Sequence, residues 1–578
     1  MSTLIMPKRW KIHSPNPQRQ VALSNALEIN PIIAQLLINR RILTVPEAAT
    51  FLSADLSQLH DPFLLKDMDR AVERIKRARQ RQELVLIFGD YDADGVTSSV
   101  LLHRLLKNMG IEVLNHIPHR MHDGYGLNHR IGEYAKQKGV SLLITVDCGI
   151  GAICEVDTLN ELGIDVIIVD HHEAPRGQLP QAKAIINPKR HDCGYPFKHL
   201  ASVGLVAKLT QALLGKILED ELDLVAIGTV ADVAELKGEN RIFVKNGLSR
   251  IDQTKNKGLS ALLEVAKIKG KKLSPYHVGF ILGPRINATG RMDSAHKSLD
   301  LLLSEDPQEA HALAKLLENY NTERQKMQRD IVQEAMSIIE QQINFNEHKI
   351  IVVGKEGWHK GVLGIVASKI TETFYRPTVV ISVKDGVGTA SARSIAGFHL
   401  YEALEHCAEI LEHFGGHKGA AGLTIKEENI EKFRKLINDF AHQTLQLVDL
   451  TPSIDIDCEI PLSSLSLDLI KAVNLLEPFG EGNPAPVFCS RRLMVKSPPL
   501  TLGKETIKFW VSDGQSTFSV VGFGMAKYRD MVVQGKWVDL AYELAIDDWN
   551  IRHNGKNFSA EEEPRVQLKL KDIKENPE

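Results

Sequence analysis

Acidic residues and histidines gather at three places in this sequence, each directly after a short apolar run. Leu84-Val85-Leu86-Ile87-Phe88 leads into Asp90, Asp92 and Asp94; Leu142-Leu143-Ile144-Thr145-Val146 leads into Asp147-Cys148-Gly149; Val166-Ile167-Ile168-Val169 leads into Asp170-His171-His172. Carboxylates a few Å apart raise one another's pKa unless positive charge sits among them, and divalent cations meet that need most economically. Oxygen ligands with one or two imidazoles suit Mn2+ or Mg2+. Two such ions sharing one aspartate, about 3.5–4 Å apart, could clamp the attacking and leaving oxygens of a phosphoryl displacement and turn water into a nucleophile at neutral pH. The chemistry expected is cleavage of phosphodiester bonds. An isolated Asp-x-Asp is ordinarily a turn or a helix cap, and a lone histidine is ordinarily a satisfied core or surface residue. Three acid-bearing strand ends in succession, the first running straight into a helix start at Gly95-Val96-Thr97-Ser98, favour the metal reading.

These groups converge only if their strands lie parallel and end on one edge of a sheet, where ligands bind in open α/β folds. The three runs are short, unbroken and bounded by turn residues, as strands buried on both faces are. Helical spacing fills the gaps between them, as in Ser98 to Lys107, so residues from about 70 to 250 predict a parallel sheet with helices on both sides. Apolar residues Leu313, Leu316, Leu317, Tyr320, Met327, Ile331, Ala335 and Ile338 recur at three- and four-residue steps and imply one long amphipathic helix between about 305 and 345. A second α/β segment follows, with strand-like Lys349 to Val353 and Thr378 to Ser382 and a glycine-rich stretch from Phe414 to Leu423. Beyond about 450 the short alternating runs Thr506 to Val511, Ser516 to Val521 and Trp537 to Tyr542 suit a small β-barrel. At the other end, Pro31 to Arg40 and Val45 to Leu52 read as small helices of an arm packed on the neighbouring domain, and Lys571 to Glu578 should fray.

Composition narrows the class further. With 578 residues and 43% hydrophobic content the chain can bury several cores, about three or four on a prior of ~150 residues per domain. No run of about 18 apolar residues suggests a membrane span and the first ten residues are too broken for a signal peptide, so a cytoplasmic protein is expected. Cys148, Cys154, Cys193, Cys407, Cys458 and Cys489 form no Cys-x-x-Cys pair, which argues against a zinc ribbon or a disulfide framework. Lys and Arg total 70 against 73 Asp and Glu, a net charge of -3, so any nucleic-acid groove must be local.

Asp90-Tyr91-Asp92-Ala93-Asp94-Gly95, Val146-Asp147-Cys148-Gly149 and Asp170-His171-His172 resemble the first three motifs of the DHH phosphoesterase superfamily, and within it the chain is similar to the RecJ family of single-strand-specific 5′ exonucleases. The likeness continues through the motifs at 228–232, 283–292, 358–368 and 415–422 and so covers residues from about 70 to 425 with specific motifs. The resemblance implies an N-terminal arm (1–69), a DHH catalytic domain (70–304), a connecting helix (305–345), a DHHA1-type nucleic-acid-binding domain (346–450) and an OB-fold-like single-strand-binding domain (451–578). It implies Asp92, Asp94, Asp147, His171 and Asp232 as ligands of two divalent cations, with Asp147 bridging, and His172 on the scissile phosphate. Many members of the wider superfamily carry a metal-binding histidine where this chain has Phe88; Asp90 is expected to take that role.

In the second domain the stretch containing Gly415, Gly416, His417 and Lys418 can bring backbone N-H groups and positive charge to an anion, unless it is only a tight connection. Arg285, Arg291 and Arg393 are further phosphate-contact candidates, with interdomain salt bridging as the alternative; guanidinium geometry suits phosphate. In the barrel, Phe509, Trp510, Phe518, Phe523 and Trp549 are available to stack bases or to fill the core. The resemblance implies a monomeric 5′ to 3′ exonuclease that releases mononucleotides from single-stranded DNA in recombination and repair, with a helicase and a single-stranded-DNA-binding protein as partners and no membrane. The alternatives are a phosphodiesterase for short oligonucleotides or cyclic dinucleotides, and a non-catalytic replication scaffold.

Overall fold

The computed structural model describes residues 7–120, 124, 126–175, 177–547 and 565–576 and divides into two compact units. The larger comprises Ala54–Gln446 with Gly480–Gly482; the smaller comprises Met1–Ser53, Leu447–Phe479 and Asn483–Glu578.

In the larger unit the apolar runs become strands of one sheet: β1 (Val85–Gly89), β2 (Val113–His116), β3 (Leu142–Val146), β4 (Asp165–Val169) and β5 (Ala184–Ile186). All pair in parallel, in the order β2-β1-β3-β4-β5. Every residue of β1 and β3 is buried, because helices cover both faces. The chain leaves β1 toward β2 on one side and returns to β3 on the other, so the loops after β1 and β3 diverge and leave a crevice at the carboxyl ends of the strands.

Helix α1 (Ala93–Asn108) starts at that crevice. Asp92 caps it: its Oδ1 accepts from the N-H groups of Asp94 (2.9 Å) and Gly95 (3.1 Å). A Cβ on Gly95 would lie 2.5 Å from the Asp90 carbonyl oxygen, so the turn from strand to helix closes only with glycine there. Helix α2 (Leu222–Ala231) packs on α1 through another close approach, since a Cβ on Gly228 would lie 2.3 Å from Thr97 Oγ1 and 3.0 Å from Asp94 Oδ1. That contact delivers the carboxylate at the end of α2, Asp232, to the crevice. Helix α3 (Gly283–Met292) follows.

Helix α4 (Pro307–Gln342) has 36 residues and spans about 54 Å at 1.5 Å per residue. Asp306 caps its N-terminus, accepting from Gln308 N at 3.0 Å, with Pro307 in the first turn. Ala310, Ala314 and Leu317 on its first half are buried with Leu262, Leu282 and Ile286 of the first domain. Ile331, Ala335 and Ile339 on its second half are buried with Val353, Val366 and Val380 of the next. One helix therefore serves two cores. The second sheet contains β6 (Ile351–Glu356), β7 (Thr378–Lys384), β8 (Val387–Arg393), β9 (Leu411–Gly416) and β10 (Ala420–Lys426). Its order is β9-β10-β8-β7-β6, with only β6 and β7 parallel.

In the smaller unit, strands Phe488–Val495, Trp537–Asp547, Arg565–Glu575, Thr517–Gly522 and Thr506–Ser512 pair in that order, and the last pairs again with the first, which closes a barrel. Two expectations are corrected here. The N-terminal arm up to Ser53 does not belong to the domain next to it in sequence: Arg9–Ile12 pairs in parallel with Ser453–Ile456, and Ile33, Leu36 and Leu37 share a core with Phe488 and Leu540 of the barrel, whereas Leu65 and Met68 at the arm's end are buried with Val85 and Leu102 of that next domain. The apolar face of its short helices finds its cover at the other end of the chain. The final residues do not all fray either, since Lys571 to Glu575 complete the strand Arg565–Glu575 against Trp537–Asp547. Phe509 is wholly buried in the barrel core and is no stacking platform, whereas Phe523 is exposed and Trp510 half-buried; Phe518 packs against the core, and Trp549 lies outside the described residues. Among the described residues no single helix is long and apolar enough to cross a membrane.

Candidate metal centre

At the β1/β3 crevice the side chains of Asp90, Asp92, Asp94, Asp147, His171, His172 and Asp232 come together. Ligand atoms of Asp90, Asp92 and Asp147 lie within 4.8 Å of one another, as do those of Asp94, His171 and Asp232, and those of Asp147, His171 and His172. His171 Nε2 is 3.2 Å from Asp147 Oδ1, and its Nδ1 is 3.8 Å from Asp232 Oδ2. Asp147 and His171 thus each stand in two of the three groups and link the other ligands. Asp90, Asp94 and Asp147 are buried, and Phe88, two residues before Asp90, is committed to the core, where its ring stacks on His116 at 5.4 Å.

The backbone is strained where two of these carboxylates sit. Asp147 has φ of +65°, and Val233, which follows Asp232, has φ of +59°, a conformation β-branched residues avoid. Asp94 is held from both sides, its Oδ2 accepting from Ser202 N and its Oδ1 from Val203 N, each at 2.8 Å. Asp232 closes the C-terminal end of α2, where the helix dipole disfavours a negative charge.

Electrostatics state the same demand for cations. Burial first, and then neighbouring carboxylates, push Asp90 up to about 8, Asp94 to about 7 and Asp232 to about 8, and hold Asp147 well above the usual range. Burial, reinforced by His172, pulls His171 down to about 3, so its imidazole is neutral and fit to ligate. His172 behaves oppositely: burial would lower it, but the hydrogen bond and charge of Asp170 (Nδ1 to Oδ1, 2.7 Å) prevail and push it up to about 9. Asp170, oriented by Ile150 N at 2.9 Å, is held below its usual value by His172 despite its burial. Asp90 Oδ1 and His171 Nε2 are buried without a hydrogen-bond partner among the described residues. Orphaned acceptors in a cluster of hard ligands fit a divalent cation.

Beside the acids lies a group of guanidiniums. Arg291, on α3, is pushed down to about 10 by burial and then by Arg120, Arg324 and Arg393, while Asp92 opposes that shift. Its Nη1 donates to the Gly361 carbonyl at 3.1 Å, across to the second domain. Arg393, at the end of β8, is lowered by burial and by Arg120. Arg120 lies over the Tyr91 ring at 4.9 Å. Arg285, by contrast, is neutralised by Glu318 of α4 (Nη2 to Oε1, 3.1 Å). Sequence reasoning missed Arg120, Arg324 and Tyr91. Arg120 follows β2, so the strand-end logic that found the acids could have reached it, but β2 is largely half-exposed and gives a weak apolar signal.

Gly415 and Gly416 end β9, and His417 and Lys418 occupy the tip of the β9–β10 hairpin. The tip is joined to the end of β8, because Ala420 pairs with Arg393 and Ser394 N donates to the Gly419 carbonyl at 2.9 Å. Two of its N-H groups are engaged within the tip: His417 N donates to Ala420 O and Gly419 N to His417 Nδ1. What the tip offers is the exposed side chains of His417 and Lys418, at the same end of the sheet as Arg393.

Comparison with known proteins accords with this geometry. The DHH family, N-terminal domain, matches residues 84–229, the DHHA1 domain residues 347–443 and the RecJ OB domain residues 456–556. Fold and site thus define a metal-dependent nuclease of the DHH class. The single-stranded-DNA-specific exonuclease RecJ of Bacillus subtilis (strain 168) is 41% identical over 548 residues, 94% of this chain and 69% of that protein. The exonuclease of the same name from Haemophilus influenzae is 33% identical over 559 residues, 92% of this chain and 96% of that one. The crystal structure of RecJ in complex with Mn2+ from Thermus thermophilus superposes with a TM-score of 0.83 at 29% identity, covering 99% of this chain and 80% of that one. The chain belongs to the RecJ family.

Proposed function

We propose that this protein is a single-stranded-DNA-specific exonuclease that hydrolyses phosphodiester bonds from the 5′ end and releases mononucleotides, in recombination and repair. The observation that carries this reading is the meeting of five aspartates and His171 with the guanidiniums of Arg120, Arg291 and Arg393 at one crevice. Asp90, Asp92, Asp94, Asp147, His171 and Asp232 would hold two divalent cations, Mn2+ or Mg2+. The ions would supply Lewis-acid polarisation of the phosphate and activation of the attacking water.

The chain's own residues do the rest. Asp170 keeps His172 protonated and fixes its ring, so a positive donor faces the scissile phosphate as charge develops. Arg291 and Arg393 bind the phosphate at the end of the strand, and the weak hydration and planar fork of guanidinium make them selective for it. His417 and Lys418 neutralise the backbone beyond. Such an enzyme works in the cytoplasm as a monomer, with a helicase to open duplexes and a single-stranded-DNA-binding protein to present the strand.

The test is digestion of end-labelled single strands, blocked at the 5′ or the 3′ end, beside a blunt duplex, with each metal and with a chelator. A 5′ block should stop mononucleotide release, a 3′ block should not, and the duplex and the chelated sample should stay intact. Release that ignores the 5′ block defeats the polarity, and release under chelation defeats the metal mechanism.

A further inference from the structure

Outside the crevice, the larger unit carries a pair of aromatic rings that the chemistry does not use. Tyr276 is 62% exposed and Phe280 is 71% exposed, and their rings stack at 5.0 Å with 25° between planes. Single exposed apolar residues are ordinary; two large rings side by side in water are not. They are fixed in place. Phe280 lies on a π-helical turn, Val278–Leu282, whose inner residues Val278 and Leu282 are buried with Leu262 and Ile286. Upstream, His277 Nδ1 accepts from Ser274 N at 3.2 Å and so holds the turn that presents Tyr276. The π-helical turn packs against α2, the helix that ends at Asp232, and Val233 beyond it is 65% exposed.

A second observation adds charge to the rings. The loop just before them bears Lys267, Lys269, Lys271 and Lys272, all exposed. Glu264 pairs with Lys269 and Asp252 accepts from Gly270 N, while Lys267 and Lys271 add positive charge beside the rings in a chain of net charge -3. Exposed rings beside a basic loop offer what a single strand needs: a π face for a base and cations for the backbone. A folded protein partner would be expected to use apolar area of any shape, whereas a base requires the ring itself.

We infer that Tyr276 and Phe280, with the lysines of the 267–272 loop, form an accessory site that stacks bases of the single strand outside the catalytic crevice. This rests on the single-strand reading given under Proposed function. The site holds the part of the strand not yet in the crevice, so it matters for long strands and not for those short enough to lie wholly among the metal ligands and arginines.

The test uses the full chain carrying Asp147→Asn, so that DNA survives, and oligothymidylates of increasing length read by fluorescence anisotropy with Mn2+ present. Adding Tyr276→Ala with Phe280→Ala should leave the affinity for the shortest strands unchanged and weaken that for long ones about tenfold, the worth of stacking one or two bases. Placed singly, Phe280→Trp should retain the long-strand affinity that Phe280→Ala loses, and Phe280→Leu should not. Curves that coincide at every length would overturn the site, as would full rescue by leucine, which would make the rings an apolar docking face for a protein. A parent chain that binds no single strand at all would overturn this site and the exonuclease reading together, and is distinguished by its flat response before any ring is changed.

Discussion

Asp147 belongs to two ligand groups, is buried among four other aspartates and takes a left-handed backbone conformation. Replacing it by asparagine removes the shared ligand and also one of the charges that repel the others. Asp147→Asn should therefore abolish hydrolysis while raising the thermal midpoint of the metal-free protein; an active variant, or one less stable than its parent, would count against the shared site. Protons tell the same story. Asp90, Asp94 and Asp232 sit at about 8, 7 and 8, above their unfolded values, so what they add to stability is full below about pH 4 and lost as pH rises through 7–8. The metal-free protein should weaken over that window, and Mn2+, which binds the ionised carboxylates, should raise the midpoint more at pH 8 than at pH 6 in scanning calorimetry. Arg291→Ala should lower kcat/KM on single strands about 10–10²-fold, the cost of losing a charge-assisted hydrogen bond to the terminal phosphate, with a larger loss on 5′-phosphorylated than on 5′-hydroxyl ends. Equal losses on both would place Arg291 elsewhere on the backbone. Asp90, Asp92, Asp94 and Asp147 were legible in the sequence because each cluster follows an apolar run, whereas Asp232, at the end of α2, was reached only through the resemblance. The arginine group was only half legible: Arg120 comes from the segment after β2, and Arg291, Arg324 and Arg393 from α3, α4 and β8, and nothing local marks them as neighbours.

Among the elements, β1, β3 and β4 were legible as unbroken apolar runs, and α4 as a long three- and four-residue rhythm. The side-by-side placement of β1 and β3 was not, since strand order depends on pairings between distant segments, and it is this order that opens the crevice between Asp90 and Asp147. The glycine-rich stretch reads in sequence as an anion-binding loop and folds as a hairpin tip in which the N-H groups of His417 and Gly419 are engaged internally. Helix α4 ties the two sheets together through Leu317 on one core and Ile331 on the other. Leu317→Ala should cost about 2–5 kcal/mol of stability in urea unfolding, as large-to-small changes in cores do, without changing Mn2+ affinity measured on the folded variant. Lost metal affinity at unchanged stability would mean that α4 shapes the site directly.

For the molecule as a whole, the sequence separates an N-terminal arm from a C-terminal barrel, and the structure joins them: Arg9–Ile12 runs beside Ser453–Ile456, and Leu36 and Leu37 lie in the barrel's core. Local periodicity finds each helix of the arm but not the distant face that covers it. Deleting Leu447–Glu578 alone should leave those leucines exposed and the product aggregated, whereas deleting Met1–Ser53 as well should give a monodisperse protein by gel filtration whose cleavage rate still rises with strand length, through Tyr276 and Phe280, but less steeply than the parent's. A strand-length dependence equal to the parent's after the double deletion would move the grip on long strands entirely to the larger unit. The net charge of -3 hides the division between acids and arginines at the crevice, which is why composition alone does not point to nucleic acid. The most direct measurement is the anomalous diffraction of crystals soaked in Mn2+. Two peaks should flank Asp147, one beside Asp90 and Asp92 and the other beside Asp94, His171 and Asp232, and the pair should be lost in Asp147→Asn; a single peak away from Asp147, or two peaks that persist without its carboxylate, would contradict the two-cation centre.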